Sequence, residues 1–158
     1  MMRQSREAKE NEKFAKMNPQ ERAFWEGIQN AGSMEARQKV LQDYHTQQML
    51  GIVGSELGAS ADEWAVIQPR VQAVLRLQQT PYGVGDTPAA ILVAQLIAEL
   101  RVLVSNKDAK PEEIKAKLTA LRGAKEQARQ ELGQAKKSLR QLMTLRQEAV
   151  LVLNGLLD

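Results

Sequence analysis

The sequence predicts an all-α fold: an elongated helical hairpin or bundle of about five or six helices, with one long heptad-patterned helix and a buried C-terminal helix. Three observations predict it. The apolar residues are mainly Leu, Ala and Val among many Gln, Glu, Lys and Arg, which are good helix formers, and aromatics make up only 4%. No segment alternates apolar and polar residues with the period of two that a half-buried strand needs. Helix-start signatures recur, "NPQE", "SADE" and "TLRQ", each a capping residue followed three positions later by Glu or Gln.

At 158 residues the chain is one domain's worth of material, and 43% hydrophobic against 26% charged residues is a globular composition. Cysteine is absent, which excludes disulfides and thiolate metal sites and leaves the redox compartment open. A net charge of +3 tolerates acidic partners without requiring them. The opening "MMRQSREAKENEKF" has no apolar centre and reads as lacking a signal peptide. The longest apolar run, Ala89 to Val104, carries Gln95, Glu99 and Arg101, which a spanning helix would expose to lipid. The expectation is a soluble protein with no membrane insertion.

Residues 1–18 alternate charges without an apolar stripe and read as a flexible arm, leaving 19–158 as a single helical domain. Asn18, Pro19 and Glu21 start a helix carrying Ala23, Phe24 and Ile28, which should stop near Gly32. Ser33 then caps a helix from about Met34 to Leu57, with Val40, Tyr44, Leu50, Val53 and Leu57 as its apolar face and a bend expected at Gly51 and Gly54. Ser60 and Glu63 form the next capping box. Behind it Trp64, Ile67, Val71 and Val74 recur at helical spacing, and Pro69 predicts a kink. "TPYGVGDTP" marks the middle connection. After it, Ile91 to Val104 is a helix whose wide apolar face, with Leu92, Val93, Leu96, Ile97, Leu100 and Leu103, should contact more than one neighbour.

Pro111-Glu112-Glu113 opens the longest helix. Ile114, Leu118, Leu121, Lys125, Ala128, Leu132, Ala135, Leu139 and Leu142 follow an unbroken 4-3-4-3 spacing, a heptad seam about 45 Å long. Thr144 and Gln147 are placed as a further capping box, so the long helix ends near Leu142 or Met143 and a last helix follows at once. With Leu145, Ala149, Val150, Leu151, Val152, Leu153, Leu156 and Leu157, that helix is apolar nearly all round. It is expected to be buried on most sides, as a wedge between long helices or as half of a dimer interface.

Between Lys115 and Arg140 stand eight basic residues (Lys115, Lys117, Arg122, Lys125, Arg129, Lys136, Lys137 and Arg140) against two acids, Glu126 and Glu131. They are either a solvated helix face or a positive surface that attracts acidic and unfolded clients. No aromatic interleaves them for base stacking, so nucleic acid is not the expected partner. His45, the one histidine, has only Asp43 and Glu35 nearby in sequence and is not expected to bind metal. The glycines of "GIVGSELG" precede no lysine, and Ser55 and Ser60 sit in no nucleophile motif. No catalytic residue and no cofactor is expected. Trp25 and Trp64 read as core anchors, and Met17, Met34 and Met49 as core filling in preference to an adaptable binding surface of thioethers.

Met143-Thr144-Leu145-Arg146-Gln147 resembles the LTxxQ motif of the Spy/CpxP superfamily of bacterial exported helical proteins, with Met143 in place of the usual first Leu. "DEWAVIQPRVQAVLRLQ", which holds Glu63, Trp64 and Pro69, and the segment 111–158 are together similar to a group of exported helical proteins from planctomycete-type bacteria. The resemblance covers about half the chain. It implies an all-α homodimer in the periplasm or outside the cell, acting as an ATP-independent chaperone or an envelope-stress accessory. Unfolded or acidic proteins would be its clients. The export signal would then be missing from this chain; a chain complete as it stands would be cytoplasmic. The alternative reading is a structural or assembly protein, whose heptad seam and apolar C-terminal helix serve oligomerisation or partner docking.

Overall fold

A computed structural model describes residues 12–158. These residues form an all-α helical bundle, with no strand among them. The elements are α1 (Pro19–Asn30), α2 (Met34–Leu57), α3 (Ala61–Gln78), a 3-10 turn (Thr80–Tyr82), α4 (Pro88–Ser105), α5 (Pro111–Arg140) and α6 (Leu145–Leu153). Residues 12–16, within the expected arm, are helical; the rest of that arm, 1–11, lies outside the described residues. The chain divides into two compact units, one ending at Gln48 and the other Met49–Asp158.

The helix starts follow the local chemistry. Asn18 Oδ1 accepts from the Glu21 N–H at 2.8 Å, and Glu21 Oε2 accepts from the Asn18 N–H at 3.3 Å. Ser60 and Glu63 repeat the exchange at 3.2 and 2.8 Å. Thr144 and Gln147 do so at 3.3 and 3.0 Å. Thr87, a cap the sequence reading passed over, accepts from the Ala90 N–H at 3.1 Å and starts α4 at Pro88 instead of Ile91. At α5, Glu113 accepts from the Lys110 N–H, but lysine has no acceptor to return the bond.

In the first unit α1 and α2 meet through Phe24 and Tyr44, whose ring centroids lie 4.4 Å apart, and through Gly27 under Val40. None of the described residues up to Gln48 is buried. Trp25, expected as a core anchor, is 44% exposed, and Met34, expected as core filling, is 79% exposed. Within this unit α1 and the part of α2 up to Gln48 offer too little opposing surface to enclose either side chain.

The second unit is organised along α5. Its N-terminal half packs Leu121 and Ala124 against Val93 and Leu96 of α4. Its C-terminal half places Leu139 in a larger core with Leu50, Val53 and Leu57 of α2, Ile67, Val71 and Val74 of α3, and Leu151, Leu156 and Leu157. The heptad seam is therefore covered by helices of the same chain. Only its last member, Leu142, is exposed. Neither interior helix irregularity breaks its helix: α2 continues through Gly51 and Gly54, and α3 through an exposed Pro69. Gly54 makes room for Trp64, since a Cβ there would lie 3.0 Å from the indole.

The connection "TPYGVGDTP" is a tight corner between α3 and α4. Gly83 has φ of 74°, and a Cβ would come within 2.9 Å of the Ala94 backbone, so both conformation and contact demand glycine. The hydroxyls of Thr80 and Thr87 are buried and 3.4 Å apart.

The C-terminal helix differs from expectation. It spans only nine residues and is buried on one side: Leu151 is inside, while Leu145 is 85% and Leu153 86% exposed. Gly155 ends it with φ of 72°, the Leu156 N–H donating to the Leu151 carbonyl at 2.9 Å and the Gly155 N–H to the Val152 carbonyl at 3.0 Å. This reversal turns Leu156 and Leu157 into the core. Apolar composition reads as burial only when neighbours exist on every side, and α6 has them on one.

Candidate functional site

The eight basic residues of α5 do not act as one surface. Lys115, Arg122, Arg129 and Lys136 are spaced seven apart and share a flank, with Lys125 and Arg140 at steps of three or four beside them. Lys117 lies on the opposite side of the buried seam and pairs with Glu99 of α4. Arg129 pairs with Glu126 at 3.6 Å, Lys136 with Asp158 at 2.7 Å, and Arg140 with Glu148 of α6 at 2.9 Å. Lys115, Arg122, Lys125 and Lys137 have no acidic partner among the described residues. Half of the basic concentration is thus used inside the chain, and half remains available.

These pairs have electrostatic consequences. The Lys117 ammonium bonded to Glu99, helped by Gln95, holds that carboxyl below the usual carboxylate range. Lys136 does the same to Asp158, with a smaller contribution from Arg140. Asp158, with Asn154 bonded to Glu56 at 2.7 Å and Gln78 donating to the Gly155 carbonyl at 2.7 Å, fastens the C-terminal segment to α2, α3 and α5. The partners Glu99, Glu148 and Asp158 are distant in sequence, and no local pattern reveals them.

The Met143-Thr144-Leu145-Arg146-Gln147 motif has a local structural role. Thr144 and Gln147 form the capping box, Met143 packs against the larger core, and Leu145 points outward. Ser60, Glu63, Trp64 and Pro69 are likewise structural: a cap, a core contact and an exposed position in α3.

A second surface lies on the C-terminal helix, which the sequence offers either as a wedge or as half of a dimer interface. Leu145, Ala149, Val152 and Leu153, at steps of four, three and one, form an exposed apolar stripe on α6. Its spacing was legible; its exposure was not. His45 is exposed, and no group of three or more His, Asp or Glu among the described residues could hold a metal ion.

No protein-family model matches this chain, and neither a curated protein nor a solved structure matches it.

Proposed function

We propose that this is a non-enzymatic protein-binding module of the Spy/CpxP kind, holding unfolded or acidic protein clients on its basic helix without ATP. The observation that carries this reading is the set of unpaired cations, Lys115, Arg122, Lys125 and Lys137, on the longest helix. Long-range attraction to acidic clients would be followed by contact with nearby aliphatic side chains, so that capture is reversible. The exported or periplasmic setting follows from the resemblance of the motif residues.

The test is suppression of aggregation of a chemically unfolded acidic protein, without ATP, in low and high salt. Suppression should weaken as salt rises and fall in the triple variant Lys115→Glu, Arg122→Glu, Lys125→Glu. Equal suppression by that variant and the parent rules the basic helix out as the client surface.

The α6 stripe favours a second reading, assembly through an apolar contact, with homodimerisation as its simplest form. Leu145→Glu with Leu153→Glu should then lower the solution mass by light scattering at any salt. Because the heptad seam is occupied within the chain, dimerisation through that seam is not part of this reading.

A further inference from the structure

The basic flank of α5 is longer than its free part. Lys115, Arg122, Arg129 and Lys136 follow one another at seven residues, with Lys125 and Arg140 beside them, so the row extends about 38 Å at roughly 1.5 Å per residue. Lys115, Arg122 and Lys125, free of acidic partners, occupy its first part. At the far end the chain supplies its own carboxylates: Glu148 of α6 accepts from Arg140 at 2.9 Å, and Asp158 accepts from Lys136 at 2.7 Å. On α5 itself only Glu126, paired with Arg129, and Glu112, one turn before Lys115, adjoin the row. The six cations of the row therefore outnumber the acids that its own helix places beside them three to one.

The far end is firmly built, and its occupants are loosely held. The Lys136 side chain is only 15% exposed, so its stem is packed and its ammonium is fixed in position, whereas Asp158 is 83% exposed. Asp158 is thus able to turn away while Leu156 and Leu157 stay in the core. Arg140 and Glu148 are both partly open to water. Ion pairs at the surface are weak, so a carboxylate arriving from another chain competes with Glu148 and Asp158 on nearly equal terms.

We propose that Lys136 and Arg140 form the far end of the client surface, and that an acidic polypeptide segment long enough to reach them displaces Glu148 and Asp158, which occupy them beforehand. This rests on the reading of α5 as the client surface, and adds the length of that surface and an internal competitor for it. The resident carboxylates show the chemistry that the row accepts. A segment confined to Lys115, Arg122 and Lys125 meets no competitor. One that continues towards Arg140 exchanges with the chain's own acids, so the added hold is small and release stays easy.

The experiment is binding of a glutamate peptide of about 16 residues, long enough when extended to follow the row from end to end, measured by fluorescence anisotropy on the full chain. Glu148→Gln with Asp158→Asn should tighten binding about three- to tenfold, with circular dichroism unchanged. Asp158→Asn alone, at the more exposed position, should give part of that gain. Adding Lys136→Gln and Arg140→Gln to the double variant should abolish it. Asp62→Asn with Glu131→Gln removes the same charge from carboxylates that pair with no cation among the described residues, and should give no comparable gain. An equal gain in that control would make the effect one of net charge and overturn the proposal. Unchanged affinity in the Glu148, Asp158 variant overturns it too; the client reading then stands if the parent binds the peptide and the Lys115, Arg122, Lys125 triple variant does not. Absence of binding by every protein overturns both.

Discussion

The two units begin their helices equally well and bury their side chains very unequally. Asn18 in the first and Ser60 and Thr144 in the second all make complete capping boxes. Yet no described residue up to Gln48 is buried, while Met49–Asp158 encloses Val53, Val71, Leu139, Leu151 and Leu156 almost completely. Capping satisfies a few backbone donors and contributes about 1 kcal/mol, whereas burying one leucine contributes roughly 1.5–3 kcal/mol. Well-specified helix ends therefore say little about whether a region holds itself together. A cooperative transition of the second unit, with the first unfolding more readily and exchanging amide hydrogens faster, is the expected behaviour.

The largest effect should come from the larger core. Leu151→Ala removes a fully buried side chain from the core that α2, α3, α5 and α6 form and should cost about 2–5 kcal/mol in urea unfolding, while Phe24→Ala in the first unit should leave the main transition in place. Removing residues 149–158 takes Leu151, Leu156 and Leu157 together and should unfold the second unit; a truncated chain of unchanged stability would break the comparison. Next comes Gly83→Ala, which meets both a left-handed backbone and the Ala94 main chain and should cost about 1–3 kcal/mol by thermal melting.

Smaller still is the pair of cap variants. Thr144→Ala should lower the stability of the second unit by about 1 kcal/mol. Asn18→Ala should loosen α1 by a similar local amount, read as faster hydrogen exchange in 19–30, without moving the main melting temperature. Equal shifts of that temperature by both variants would mean that the units unfold as one.

The smallest effect concerns pH. The Asp158 carboxyl is held below its ordinary value by Lys136, so its contribution to stability is present above the ordinary carboxylate range and is lost as pH falls through the lowered value. Asp158→Asn should thus be slightly less stable than the parent at neutral pH, and the gap should close in acid. Both groups of the pair hold to the second unit, and Asp158 is largely solvent-exposed, so screening by salt should also narrow the difference.

Most helix boundaries were legible because the signals that set them are local. A side-chain acceptor bonding three residues ahead is the same chemistry in a peptide and in a fold, hence Asn18, Ser60 and Thr144. At α4 the cap, Thr87, and the first helical residue, Pro88, precede the apolar run and lie among turn residues, so the run alone places the start three residues late. The end of α6 was missed because leucines on both sides of Gly155 conceal its turn. The basic concentration on α5 was visible, but its division into paired and unpaired residues was not, since Glu99, Glu148 and Asp158 arrive from other elements.

By itself, then, the sequence determined the helical class, the capping boxes, and which stretches are apolar. Each of these depends on interactions within a turn or two of helix. Tertiary structure alone decided which apolar faces are covered. It used the α5 seam internally, left Leu145 and Leu153 in solvent, and turned Ile91 and Val102 outward. Periodicity specifies that side chains share a face; only the placement of neighbouring helices decides whether that face meets protein or its surroundings.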